Sequence, residues 1–300
     1  LPLDETIREA FSHVYLSREL AIVTGYAHCQ EGLMASFDRG YSEMTFSRIA
    51  VITEAREAVI HKEYHLSSAD PRLVDEEKVV PIGRTNYDVA DQLANLGMEA
   101  IHPRAAKGLR QRNIPLRGKN TFEPEHSGTL ITRDYISDSP CVEIIAGKQT
   151  VHAVGLFDQE MVGDVHSYDR EFLGVVKRFK ARIITKDLNA NTITMYLATN
   201  LKTVKRIVRE LELIYPKAEI SPCKVAIVSA IGSDMQVPGM LAKAVAALAE
   251  NNISVLAMHQ SMRQVDMQFV INEDDYAKAI QSLHRCLVEP HNHGLAICAA

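Results

Sequence analysis

The chain has 300 residues, 46% of them hydrophobic and 24% charged, with a formal net charge of -5. At about 150 residues per domain this length predicts two or three domains, and the balance excludes a disordered, collagen-like or disulfide-framework chain. The negative charge argues against nucleic acid and an anionic membrane as partners, which select a basic surplus, and no apolar run approaches the roughly 20 residues that span a bilayer. Five cysteines without a C-x-x-C pair (Cys29, Cys141, Cys223, Cys286, Cys298) fit reduced thiols in a cytoplasm. The opening Leu1-Pro2-Leu3-Asp4 has neither Met nor a signal-peptide layout, so the chain is expected to begin inside a longer protein.

Leu3, Ile7, Ala10, Phe11 and Val14 share one helical face, and the apolar run 20–23 before Gly25 predicts a buried strand. Phe46, Ile49, Ala50 and Thr53 repeat with helical spacing, and 58–60 predicts another strand. Strand, helix, strand is the arrangement of a parallel sheet, which carries ligand loops at its strand ends. Thr85-x-x-Asp88 reads as a capping box for a helix stopped at Gly97, and Pro103 suits the first turn of the next helix. The stretch 120–140, rich in turn-forming and acidic residues, is the expected domain boundary.

Beyond it the pattern repeats at an offset of about 70 residues. A strand at 151–157, a helix at 170–179, strands at 181–185 and 192–198 and a helix at 201–215 form one unit. The second comprises strands at 225–231, 253–258 and 267–271 with helices at 238–250 and 274–287. Both read β-α-β-β-α, an internal duplication of a ferredoxin-like module.

Three loops carry candidate chemistry. In Asp38-Arg39-Gly40-Tyr41-Ser42-Glu43, Arg39 suits bidentate grip on a carboxylate, Gly40 admits close backbone approach, and Ser42 offers a hydroxyl at a helix start. The same residues also fit a solvated loop capped at Ser42. His61-Lys62 ends a strand, with Ser67, Asp70 and Arg72 following; the cations suit phosphates, or a solvated strand end. The pair His61 and His65 is weak as a metal site, and His102 before Pro103 reads as a cap. Gly232-Ser233-Asp234-Met235 with Pro238-Gly239 precedes a helix and suits an amino-acid carboxylate, or simply caps the helix.

The order of these segments resembles aspartate kinase, an amino-acid-kinase-fold family with two carboxy-terminal ACT domains. Asp38-Arg39-Gly40-Tyr41-Ser42-Glu43 resembles its G-R-G-G-S-D aspartate loop, and Ser67-Ser68-Ala69-Asp70-Pro71-Arg72 its Y-T-x-D-P-R nucleotide loop. Ile101-His102-Pro103, Ile114-Pro115-Leu116, Asn120-Thr121-Phe122 and Gly128-Thr129-Leu130-Ile131 are similar to its connector. Val228-Ser229-Ala230-Ile231-Gly232, Pro238-Gly239, Asn252-Ile253-Ser254-Val255 and Gln260-Ser261 are similar to its ACT module. His61-Lys62-Glu63 and Tyr41-Ser42-Glu43 are most similar to aspartokinases of ectoine-producing bacteria.

The resemblance implies an α/β chain: the C-terminal part of an amino-acid-kinase parallel-sheet domain at 1–135, then ferredoxin-like (βαββαβ) ACT domains at 140–222 and 223–290, and a tail at 291–300. It implies ATP-dependent phosphorylation of the β-carboxylate of L-aspartate, with Mg²⁺, in the cytoplasm. Arg39, Gly40 and Ser42 would bind aspartate, with Arg39, Ser42 and Glu43 as the catalytic set. His61, Lys62, Ser67, Asp70 and Arg72 would meet ATP, although His61-Lys62 replace a usual Thr-Asp, Ser67 a usual tyrosine and Glu99 a usual lysine. Ser233, Asp234, Met235, Pro238, Gly239, Asn252 and Ile253 would hold an amino-acid effector such as lysine or threonine. A homodimer through the ACT domains is expected, since small sheets leave open edges. The family's K-F-G-G-T-S phosphate loop occurs nowhere in the sequence, so this chain alone is expected to be nearly inactive. The alternatives are a non-catalytic ACT amino-acid-binding protein and a kinase for another amino-acid carboxylate, such as glutamate.

Overall fold

The computed structural model describes residues 1–14, 20–26, 28–30, 32, 40–98 and 101–291. Helix α1 (Leu3–Phe11) lays Leu3 and Ile7 against Tyr41, Ile49 and Ile52 of α2 (Tyr41–Ile52). Asp4 and Arg48 form an ion pair across the two helices. Then follow β1 (Ala58–Lys62), β2 (Arg84–Asn86), α3 (Tyr87–Asn95), α4 (Pro103–Gln111), β3 (Leu116–Asn120) and β4 (Thr129–Thr132). The sheet order is β1-β3-β4-β2, with β1 and β3 parallel, β2 and β4 parallel, and β3 antiparallel to β4. Tyr87, Leu109, Leu116 and Ile131 fill its core, and the Tyr87 hydroxyl donates to the Ile114 carbonyl at 2.8 Å.

Three sequence expectations are corrected here. Residues 20–23 form no strand: Leu20 is 93% and Ile22 94% exposed, because apolar content makes a strand only where a neighbour supplies the ladder, and among the described residues β1 pairs only with β3. The cap of α3 is Asn86, whose side chain accepts from Val89 N at 3.0 Å, while the Thr85 hydroxyl is engaged by Glu143. The stretch 120–140 is not all linker, since β4 lies inside it and completes the first sheet.

The second half contains β5 (Ile144–Phe157), α5 (Val165–Arg178), β6 (Arg182–Leu188), β7 (Thr192–Ala198), α6 (Leu201–Ile214), β8 (Glu219–Ile231), α7 (Met240–Glu250), β9 (Val255–Gln260), β10 (Asp266–Asn272) and α8 (Tyr276–Leu287). The strands form one antiparallel sheet, β6-β7-β5-β8-β10-β9. Both β-α-β-β-α units are present, joined through β5 and β8, which pair from Ile144↔Ile231 to Phe157↔Glu219. The break expected between 222 and 223 therefore falls inside the continuous strand β8. Helix α6 shows the local logic: Asn200 caps it by accepting from Thr203 N at 2.9 Å, and Val204, Ile207 and Leu211 recur on its buried face.

Alternate residues of β8 face opposite ways. Ala226, Val228 and Ala230 join the core of the second unit's helices, while Val225, Ile227 and Ile231 face Ile82, Val89 and Leu93 of the first half. Helix α3 thus serves two cores, with Tyr87 and Ala90 on one face and Val89 and Leu93 on the other. Residues 67–74 are drawn deeper still. Ser68 is buried, donates its N–H to Val80 O, receives the Ile145 N–H at 2.8 Å on its carbonyl, and lies 3.0 Å from His284 Nε2 through Oγ. Ala69 and Val74 belong to the second unit's core.

Asp266 at the start of β10 is 4% exposed, and burial pushes its carboxyl pKa up, against the pull of a 2.9 Å hydrogen bond from Gln268 Nε2. A raised acid favours the folded state in its protonated form, so the charged form weakens folding as pH rises through the folded-state value. Asp266→Asn is expected to raise the melting temperature at pH 7, with the gain vanishing below 3.8, the ordinary value. Melting curves across that range check it; an equal gain at both ends would refute it.

Candidate active site

Glu43 is the joint of the first site. From the first turn of α2 its Oε1 meets Lys62 Nζ at 3.0 Å at the end of β1, and its Oε2 accepts the backbone N–H of His102. His102 in turn caps α4, its Nδ1 accepting from Arg104 N at 3.3 Å. A side chain at Gly40, which precedes α2, would run into the His102 imidazole, so the close approach selects glycine there. Ser42 is exposed, against Gly25. Gly40, Ser42, Glu43 and Lys62 are therefore brought together with His102, whereas Arg39 lies outside the described residues.

Beside Lys62 a cleft of about 640 Å³ lies over β1 and β3. Ile60, Leu66, Met98 and Ile131 form apolar walls, His61 and Lys62 supply polar ones, and Tyr64 stands 78% exposed at the rim. Two histidines that residue spacing did not connect meet here: the His65 and His126 rings are 4.2 Å apart, and His65 Nε2 lies 3.1 Å from Glu123 Oε2. That imidazole holds the Glu123 carboxyl below its ordinary value. Among the described residues no three His, Cys, Asp or Glu side chains are placed to hold a metal ion.

Ser67 lies at the turn between the clefts, its Oγ donating to His65 O at 3.3 Å. Asp70 and Arg72 border a second cavity, of about 420 Å³, and Met98 lines both. Arg72 grips Asp70 with a fork, Nε to Oδ1 at 3.0 Å and Nη2 to Oδ2 at 2.8 Å, which lowers the Asp70 pKa. The Arg72 side chain is 87% exposed, so its charge reaches solvent.

Residues 3–119 match the Amino acid kinase family and residues 228–287 the ACT domain. The chain is 59% identical over 300 residues to aspartate kinase Ask_Ect of Stutzerimonas stutzeri (strain A1501), covering 100% of this chain and 63% of that protein. Over its whole length the chain is thus similar to aspartate kinases. It is 26% identical over 281 residues to chloroplastic aspartokinase 1 of Arabidopsis thaliana, covering 89% of this chain and 48% of that protein. It thus spans 63% and 48% of these two relatives' lengths. Among solved structures, Clostridium acetobutylicum aspartate kinase superposes with a TM-score of 0.74 at 20% identity, over 82% of this chain and 57% of that one. Escherichia coli aspartokinase III in complex with aspartate and ADP gives 0.69 at 18%, over 82% and 56%. Both show the same fold.

Within this aspartate kinase fold the loop before α7 is filled from inside the chain. Glu143, 7% exposed, accepts the Ser233 N–H at 2.9 Å and the Ser233 hydroxyl on Oε1, and the Thr85 hydroxyl at 3.1 Å on Oε2. Where the sequence led us to expect an effector carboxylate at Ser233, the structure places the chain's own. Asp234 accepts Cys141 N through its carbonyl, Met235 is buried, Gly239 caps α7 in the left-handed region, and Pro238 precedes it. Asn252 and Ile253 turn the chain from α7 into β9, with Ile253 N donating to Leu248 O. Glu143→Ala strips the partner from donors on both halves and is expected to cost about 2 to 4 kcal/mol. The midpoint of urea unfolding measures it; a loss below about 0.5 kcal/mol, the size of an ordinary surface change, would contradict this role.

Proposed function

We propose that this chain carries the aspartate site, much of the nucleotide site and the regulatory half of an aspartate kinase, which transfers the γ-phosphoryl of ATP to the β-carboxylate of L-aspartate. The supporting observation is Glu43, which ties the start of α2 to Lys62 and His102 beside a cleft over the strands. Ser42 and the N–H groups at the start of α2 hold an aspartate carboxylate, helped by Arg39. The apolar walls at Ile60, Leu66 and Met98 take the base of ATP, and His61, Lys62, Ser67, Asp70 and Arg72 border its sugar and phosphates. A β-carboxylate oxygen attacks phosphorus, ADP leaves, and 4-phospho-L-aspartate forms with no proton to move. The residues' task is positioning and charge neutralisation by Lys62 and Arg72. Mg²⁺ enters with the phosphates, which supply most of its protein-side binding in such sites. The product feeds aspartate-derived amino-acid synthesis, ectoine included, in the cytoplasm; among the described residues no helix is long and apolar enough to cross a membrane.

The first β-α-β-β-α unit is a second ACT module by this reading. The edge of β9 carries exposed Leu256 and Met258, with Met262 98% exposed just beyond, and supports pairing with a second copy.

Calorimetric titration with L-aspartate is expected to show saturable binding, weakened about tenfold by Ser42→Ala, a loss of about 1.4 kcal/mol. A fluorescent ADP analogue is expected to bind and to weaken with Lys62→Met. Failure of the parent chain to bind either ligand would sink the proposal, and robust hydroxamate-trapped turnover would show that the phosphate loop is dispensable. Light scattering at micromolar concentration is expected to give a dimer mass, reduced to the monomer by Met258→Lys.

A further inference from the structure

Helix α8 grips the turn that carries Asp70 and Arg72 from one face. Gln281 Nε2 donates to the Leu73 carbonyl at 2.8 Å, and one helical turn further on His284 Nε2 lies 3.0 Å from Ser68 Oγ. Asp70 and Arg72 sit between these two anchors. Ser68 and His284 have no exposure, so their polar atoms depend on partners within the chain.

Beyond α8 the N–H groups of Val288 and Glu289 both donate to the His284 carbonyl, at 2.9 and 3.1 Å, and the backbone turns back on itself. That turn brings Glu289 Oε1 to 3.3 Å from His284 Nδ1. An ionised carboxylate only accepts, so Nδ1 carries the proton of this contact. Ser68 Oγ already accepts the Val80 N–H at 3.0 Å, and its own proton goes to Nε2. The network therefore assigns the neutral imidazole with its proton on Nδ1 and its acceptor on Nε2. Serine, histidine and carboxylate are linked in the order of a hydrolytic triad, yet a serine with no exposure cannot reach a substrate. The linkage holds the turn instead.

Protonation at Nε2 breaks it. An imidazolium has no acceptor, and the Ser68 hydroxyl proton is left without its partner in a dry place, where an unmet polar group is costly. The charged groups around the ring are Glu289 on one side and, beyond Ser68 on the other, Asp70 and Arg72, which are paired with one another. The residues that β5, β8 and α7 send into the core beside α8, Ile145, Ala226, Val228, Ala244 and Leu248, carry no charge. On α8 itself the Cys286 thiol points to the Lys243 carbonyl on α7.

We propose that His284 is a positioning residue for the nucleotide: neutral and oriented by Glu289, it holds the Ser68 hydroxyl and with it the turn bearing Asp70 and Arg72, and its protonation loosens that turn and weakens nucleotide binding. The inference deepens the aspartate-kinase reading by giving its nucleotide site a dependence on pH, and it rests on that reading for the identity of the ligand. Glu43 is fastened to Lys62 and His102 instead, so aspartate binding does not pass through His284.

The test titrates a fluorescent ADP analogue into the whole chain from about pH 8 to about pH 5.5, across the ordinary histidine value of about 6.5. Affinity is expected to fall toward acid about tenfold more in the parent chain than in His284→Gln, whose remaining slope comes from the phosphates and the cleft. Glu289→Gln, at a side chain 26% exposed, keeps an acceptor for Nδ1 but removes the charge that favours imidazolium, and is expected to move the acid limb to lower pH. At pH 8 Ser68→Ala is expected to weaken the analogue about tenfold, and adding His284→Gln to cost nothing more, because the two residues act as one unit. Calorimetric affinity for L-aspartate is expected to stay unchanged throughout, which separates a displaced turn from a damaged fold. Should His284→Gln unfold, Glu289→Gln and Ser68→Ala carry the test. An acid limb unmoved in the Glu289 and His284 variants, additive losses in the double variant, or an equal loss of aspartate affinity in Ser68→Ala would overturn the proposal and leave the kinase reading standing. Failure of the parent chain to bind the analogue at any pH would refute the nucleotide site itself, and this role of His284 with it.

Discussion

The pairing of β5 with β8 is the constraint from which the rest of the architecture follows. Each strand is more than twice the usual length, and each gives one half to the first β-α-β-β-α unit and the other half to the second. Two units that share their central strands cannot rotate apart as separate domains do. Their four helices lie on one face of a common sheet, which leaves the apolar row of Val225, Ile227 and Ile231 on the other. Such a row is unstable in water, and the kinase-like half covers it through Ile82, Val89 and Leu93.

That docking sets the position of the candidate site. The turn bearing Asp70 and Arg72 is anchored at Ser68 by Ile145 on β5 and by His284 on α8, so the turn follows the six-stranded sheet. Glu43, Lys62 and His102 are held within the first half, by contacts among α2, β1 and α4. Glu43 and Lys62 are thus fastened to one body and Asp70 and Arg72 to the other, and Met98 lies where the two meet. A relative movement of the halves changes the spacing between the two sets without deforming either.

Much of this was legible along the chain because helices with strong periodicity and strands with apolar runs announce themselves, as α6 and β10 do. Residue types and spacing also singled out Ser42, Lys62, Asp70 and Arg72 as candidates, and the family resemblance added Glu43. What stayed hidden depends on partners distant in sequence. The three residues of β2 are polar or short and become a strand only through β4, and the apolar run at 20–23 finds no ladder among the described residues. Thr85 looked like a cap because a hydroxyl at that position suits one; the hydroxyl is spoken for by Glu143, 58 residues away. The meeting of His65 with His126, and of Lys148 with Gly97, likewise exists only after the chain has folded.

Glu143 also changes how the loop at Ser233 answers its surroundings. The carboxylate is tethered to the strand it precedes, so it faces that loop at an effective concentration on the order of millimolar or above, whatever the composition of the medium. A free carboxylate arriving there meets a resident competitor that never diffuses away. The donors of that loop are therefore already satisfied at any metabolite level.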